Sequence, residues 1–220
     1  AMTDIGEKFS TESKVVTLIK SDDVISSSTF VDMLELQIAF TDDEDISKSL
    51  TDQQTKINSI VSLPNSLAIN FNFTGDNLSE LKSLYESKSD QEIKSALQDA
   101  IGDPYAGAAI IPLLGEFNEN STTAKSTIIT LKLDNSNREG ENSVQALERV
   151  AKVENVMGTI SIEYRENVFT DTSAYSLGQG AMDAEINSQF EEDIGSRLMP
   201  FVLGFIFGLF LYLLFFLLKF

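Results

Sequence analysis

Oxygen ligands crowd at two places in this chain, Thr41-Asp42-Asp43-Glu44-Asp45 and Asp134 to Asn142, and calcium binding is the chemistry such clusters would serve. Neither has the right form. The first lacks the alternating ligands and central glycine of a calcium loop. In the second, Glu139 stands where the glycine belongs and Gln145 where the bidentate glutamate belongs. The first therefore reads as a solvated loop and the second as a polar turn. The chain has no cysteine and no histidine. That removes thiol nucleophiles, histidine-based triads, disulfides and most zinc sites together. No remaining acid, serine or lysine stands in a context that nominates a catalytic pair. The expectation is a protein that is not an enzyme and uses no metal or cofactor.

Charge narrows the partners. With 34 acidic against 16 basic residues, the formal net charge is −18. Phosphate binding needs clustered lysine and arginine, so nucleic acid is excluded as a partner.

A membrane is the partner the C-terminus points to. Leu198 to Leu218 (LMPFVLGFIFGLFLYLLFFLL) carries no charged side chain and has phenylalanines on all sides. At about 1.5 Å per residue it is about 30 Å long as a helix, the thickness of a bilayer core. Within it, Gly204 and Gly208 have the spacing that lets two membrane helices approach closely. Just before it, Met182, Ile186, Phe190, Ile194 and Leu198 fall four apart among acidic and amide residues. That pattern predicts one amphipathic helix over 178–197, running straight into the span. Pro200 should kink the junction, because it deletes a backbone donor and crowds the Ser196 carbonyl. A stiff rod of this kind couples the domain mechanically to the membrane helix, with Met182, Ile186, Phe190, Ile194 and Pro200 as the coupling residues.

The elements upstream form one polar domain, 1–177. Lys14 to Lys20 reads as a strand. Thr29-x-x-Asp32 resembles a helix-starting box before Phe30, Leu34 and Ile38, giving a helix to about Phe40. Lys56 to Leu63 reads as a second strand. Asp76 is placed to cap a helix bearing Leu78, Leu81 and Tyr85, and Ser89-x-x-Glu92 is a capping box for the next, closed by Gly102 and Pro104. Tyr105 to Phe117 is apolar but broken, and reads as a buried loop or subdomain contact. Lys125 to Leu133 alternates as a strand with one buried face. Ser143 is expected to cap a helix with Val144, Leu147 and Ala151 on one side, ended by Gly158. Thr159 to Tyr164 alternates as a last strand. The fold class expected is α+β: a ferredoxin-like split βαβ sandwich with a helical insertion at about 76–117. After it come the long amphipathic helix and one C-terminal transmembrane helix, 198–218.

This arrangement resembles the extracytoplasmic porter domain of the resistance-nodulation-division (RND) superfamily, in its MmpL-like and archaeal branch. The residues that carry the likeness are GEKFSTESKVVTLIKSDDV (Gly6 to Val24), KSTIITLKLD (Lys125 to Asp134) and the run from Gly178 to Phe216. One departure is Val168 to Leu177 (VFTDTSAYSL), longer and more polar than the family pattern before the connecting helix. The resemblance implies the first extracytoplasmic domain and second membrane helix of a proton-driven exporter. It also implies an efflux substrate that is hydrophobic or lipid-like, and a relay of carboxylates in membrane helices that this sequence lacks. Its partners would be the lipid bilayer, the remaining transmembrane helices and a second porter domain, with a homo-oligomer as a further option. The location implied is the cell membrane, with the acidic domain outside. The alternative is a complete tail-anchored binding or adaptor protein whose domain faces the cytosol.

Overall fold

In a computed structural model the chain is described over residues 12–182, apart from 139 and 179. In chain order the elements are β1 (Glu12–Lys20), α1 (Ser27–Asp42), α2 (Glu44–Ser49), β2 (Ile60–Val61), α3 (Leu63–Leu67), α4 (Leu78–Glu86), α5 (Asp90–Gly102), α6 (Pro104–Ile110), β3 (Leu114–Gly115), β4 (Ser126–Asp134), α7 (Ser143–Asn167) and β5 (Ser173–Leu177). The fold is α+β with an antiparallel sheet.

Alternation along β1 and β4 creates the sheet. The two strands pair antiparallel over their whole length, from Glu12 opposite Asp134 to Lys20 opposite Ser126. Val15, Thr17 and Ile19 of β1 point to one face with Thr127, Ile129, Leu131 and Leu133 of β4, and all are buried. The helices cover that face. Phe30, Met33, Leu34, Leu36 and Phe40 of α1 join these strand residues, together with Val150, Val153 and Met157 of α7, in one core. Burying each large side chain is worth about 1.5–3 kcal/mol. The strand order is β2-β4-β1-β5, with β3 pairing the start of β4. All pairings are antiparallel, so β1 runs parallel to β2 across β4, and β4 runs parallel to β5 across β1.

Helix α1 starts earlier than its Thr29 box suggests. Ser26 is the cap, its hydroxyl accepting from the Thr29 amide, and Thr29 itself is buried inside the first turn. The acidic run is not a loop. Asp42 still belongs to α1, and Asp43 caps α2 by accepting from the Asp45 and Ile46 amides. Likewise Asn77, not Asp76, caps α4. The Ser89–Glu92 capping box forms as expected, with both reciprocal bonds present.

Three other expectations fail. Lys56 to Leu63 supplies only two strand residues, because a 3₁₀ turn takes up Lys56–Ser59 and Pro64 sits in the first turn of α3. Tyr105 to Phe117 is helical at its start, capped by Asp103, and so not a loop throughout; Gly107, Ile110 and Leu113 are buried while Tyr105 and Ile111 are exposed. Thr159 to Tyr164 is not a strand. Helix α7 begins at an Asn142–Gln145 capping box, passes through Gly158 and runs 25 residues. Its inner face carries Ala146, Val150, Val153 and Met157, while Val144 and Leu147 are exposed. The last strand is β5, inside the polar stretch that departs from the family pattern.

No helix among the described residues is long and apolar enough to cross a membrane. The expected span Leu198 to Leu218, with Gly204 and Gly208, lies outside the described residues. So do Ile186, Phe190, Ile194 and Pro200.

Candidate functional site

The face of the sheet turned away from the helices is built by β1, β4 and β5. On it, Val16 and Leu18 of β1 lie between Thr130 and Ile128 of β4 and Leu177 and Tyr175 of β5. Apart from Thr130 these residues make an apolar band, with Leu177 51% exposed. Lysines border it on two sides. Lys14 sits opposite Lys132 on one rung, and Lys20 lies at the far end. Tyr175 anchors that end: the Arg165 guanidinium is 4.9 Å and the Lys20 ammonium 5.9 Å from its ring centre, both within cation–π reach. In a chain of charge −18, four cations, Lys14, Lys132, Lys20 and Arg165, thus border this one band.

Hydroxyl groups hold β5 in place. The Ser176 hydroxyl donates to the Met157 carbonyl at 3.2 Å. That leaves its oxygen to accept from Thr17 and from Ser161, each at 2.8 Å. One serine thus ties β1, β5 and α7 together. Beyond it the chain leaves the sheet through Gly178, at φ +147°, where a Cβ would meet the Glu154 carboxyl carbon at 2.7 Å. Residues 180–182 are helical again.

Charged groups inside the helical layer are paired. Lys82 bridges Glu35 at 2.6 Å and Glu86 at 3.5 Å, and the Glu35 contact raises the lysine pKa. Asp32, in α1, accepts from the Thr172 hydroxyl. Burial pushes its carboxyl above the usual range; the Thr172 bond opposes this, while Glu35 and Asp171 add to it. Arg149 clamps the start of α7 to the turn before it. It donates to the Asp134 and Ser136 carbonyls at 2.6 and 2.9 Å and pairs with Glu141. The Asp134 carboxyl shifts the other way: burial alone would raise its pKa, but Ser136, Arg149 and Arg138 outweigh that and lower it.

A groove of 400 Å³ runs along the outer edge of β2, lined by Ile57, Ile60, Val61, Asn65, Ile69 and Phe73. Asn65 closes the strand edge there by donating from Nδ2 to the Ile60 carbonyl at 3.3 Å. Among the described residues no group of three carboxylates could hold a metal ion.

Of the coupling residues expected from sequence, only Met182 is described, and it is 58% exposed. The residue before it, Ala181, is 2% exposed. Sequence reasoning missed the Thr17–Ser176–Ser161 network and the Asp32–Thr172 bond. Each joins residues far apart in the chain, and neither leaves a local pattern. Comparison with protein-family models, with curated proteins and with solved structures finds no significant match.

Proposed function

We propose that the chain is part of a proton-driven exporter of the RND type, contributing an extracytoplasmic substrate-handling domain, a connecting helix and one membrane helix. The observation that carries this reading is the strand order β2-β4-β1-β5. Its two parallel strand–helix–strand units are interleaved, each having a strand of the other between its own. That interleaving supports reading the sheet as a ferredoxin-like split βαβ sandwich. In this reading the helices between β2 and β4 are an insertion. The lysine-bordered open face meets a second porter domain or a hydrophobic, lipid-like cargo. Gly204 and Gly208 pack the span against another helix of the transporter, or against a second copy. Proton-relay groups belong to membrane helices outside this sequence, so no residue here is assigned to proton movement.

Topology tests the proposal. Tyr105 is exposed, and a Tyr105→Cys variant carries the only thiol in the chain. Intact cells are expected to show its labelling by a membrane-impermeant maleimide. Labelling only after permeabilisation overturns the exporter reading in favour of a tail-anchored cytosolic adaptor. Further apolar spans in the reading frame on either side separate an exporter from any other outward-facing membrane protein.

A further inference from the structure

Helix α7 turns one face away from both the sheet and α1. At 3.6 residues per turn, Ala151, Asn155, Gly158 and Ile162 share that face, roughly opposite the core residue Val153. The last described residues come onto it. A Cβ on Gly180 would overlap the Ala151 carbonyl oxygen and lie 2.8 Å from the Asn155 amide nitrogen. Two backbones therefore meet with no side chain between them. The contact is bonded as well as close: Gly180 N–H donates to Glu154 Oε2 at 3.2 Å, and Asn155 Nδ2 donates to the Gly180 carbonyl at 3.3 Å. Burial of Ala181 beside exposed Met182 fixes which side of the new helix faces α7. Further along α7 on the same face, Gly158 and Ile162 are buried too, although they look away from the core.

We propose that this outer face of α7 is the docking surface for the chain's own continuation, residues 183–192, running alongside α7 toward Asn167. Ala184 and Ser188 follow Ala181 by three and seven residues, so they share its side of the helix. Both are small and permit the close approach that begins at Gly180. Equal rise per residue in the two helices brings Ala184 level with Gly158 and Ser188 level with Ile162. It also brings acidic Glu191 and Glu192 level with the Arg165 guanidinium, a match of charge at the far end of the contact. The stripe Met182, Ile186, Phe190 and Ile194 then faces away from α7. It is a second surface and not the contact with the domain. This packing does not depend on the transport reading.

The absence of cysteine allows a direct test on the full chain in detergent micelles. A disulfide needs Cα atoms about 4.4–6.8 Å apart. The pairs Gly158→Cys with Ala184→Cys and Ile162→Cys with Ser188→Cys are expected to close under mild oxidant. The pair Leu147→Cys with Ala184→Cys, which probes the opposite direction along α7, is expected to stay reduced. Closure of the Leu147 pair, or failure of both others in variants whose far-UV circular dichroism matches the parent, overturns the proposal. Single variants, which leave the domain intact, give a second measurement. Maleimide should label Ser188→Cys at least about tenfold more slowly than Met182→Cys, whose side chain is exposed. Equal rates overturn the docking independently.

Discussion

Thr172 donates its hydroxyl to Asp32 across 140 positions of sequence, fastening the turn before β5 to the middle of α1. The carboxyl it reaches is half-buried and raised, by burial first and then by Glu35 and Asp171, against the Thr172 bond. The folded protein therefore holds that proton to higher pH than the unfolded chain does. Between the ordinary value of 3.8 and the raised one, each step up in pH weakens the fold. Asp32→Asn keeps an acceptor for Thr172 and removes the charge. It is expected to raise the melting temperature at pH 7, by the equivalent of about 1 kcal/mol at most once solvent screening is allowed for. The gain should shrink as the pH falls toward 4. Melting curves of both proteins at the two pH values check this, and a gap that grows on acidification contradicts it.

Tyr85 is the aromatic centre of the helical layer. Its ring meets Phe30 and Phe71 edge-on, with centroids 5.0 and 5.6 Å away, and its hydroxyl donates to the Pro64 carbonyl at 2.8 Å. Burial pushes the phenol far above its normal range. Tyr85→Phe keeps the packing and strands a buried carbonyl, at a cost of about 1–3 kcal/mol. Tyr85→Ala empties the site and costs about 3–5 kcal/mol. Denaturant titration of the two variants should give that order, with the slopes unchanged.

The Ser89–Glu92 box starts α5. The Ser89 amide and hydroxyl both donate to the Glu92 carboxylate and hold its pKa down, while the Ser89 oxygen accepts from the Glu92 amide. Ser89→Ala should lower stability by about 1 kcal/mol. Since the Glu92 pKa is lowered on folding, its contribution is present above the ordinary glutamate value and fades below it. The deficit of Ser89→Ala should therefore narrow when thermal melts are repeated in acid.

Lys14 and Lys132 face one another on neighbouring strands. Like charges at such a pair are unfavourable, and opposite charges contribute about 0.2–1 kcal/mol. Lys132→Glu is expected to raise the melting temperature slightly in dilute buffer. High salt should erase the difference. A loss of stability at low salt would contradict the register described for this rung.

The strands β1 and β4 are legible in the sequence because one buried face forces strict alternation, as in Ile129, Leu131 and Leu133. The Ser89 cap is legible because its partner lies three residues away. Thr159 to Tyr164 misleads because its alternation is real but local. The capping box at Asn142 commits the chain to helix, and Gly158, a poor helix former, is tolerated where neighbouring groups bury it. Strand β5 gives the opposite error. It lies at the sheet edge and buries only Ala174, so its polar residues resemble a loop until β1 supplies the pairing. The open face follows from β1 and β4 together, but its Tyr175 and Leu177 depend on β5 and could not be placed without it.

One long side of β4 is served by a single unbroken partner, β1. The other side is patched by three separate stretches of chain: Leu50 bridges Leu133, β2 meets Leu131 and Thr130, and β3 meets Thr127 and Ser126. Patches of this kind can drift apart in length over generations without disturbing the central ladder. Affinity tags or reporter peptides inserted between Glu119 and Asn120, at the exposed tip of a tight turn that Asn118 and Thr123 close with a pair of amide bonds, should leave that ladder intact and give an experimental handle on the assembly.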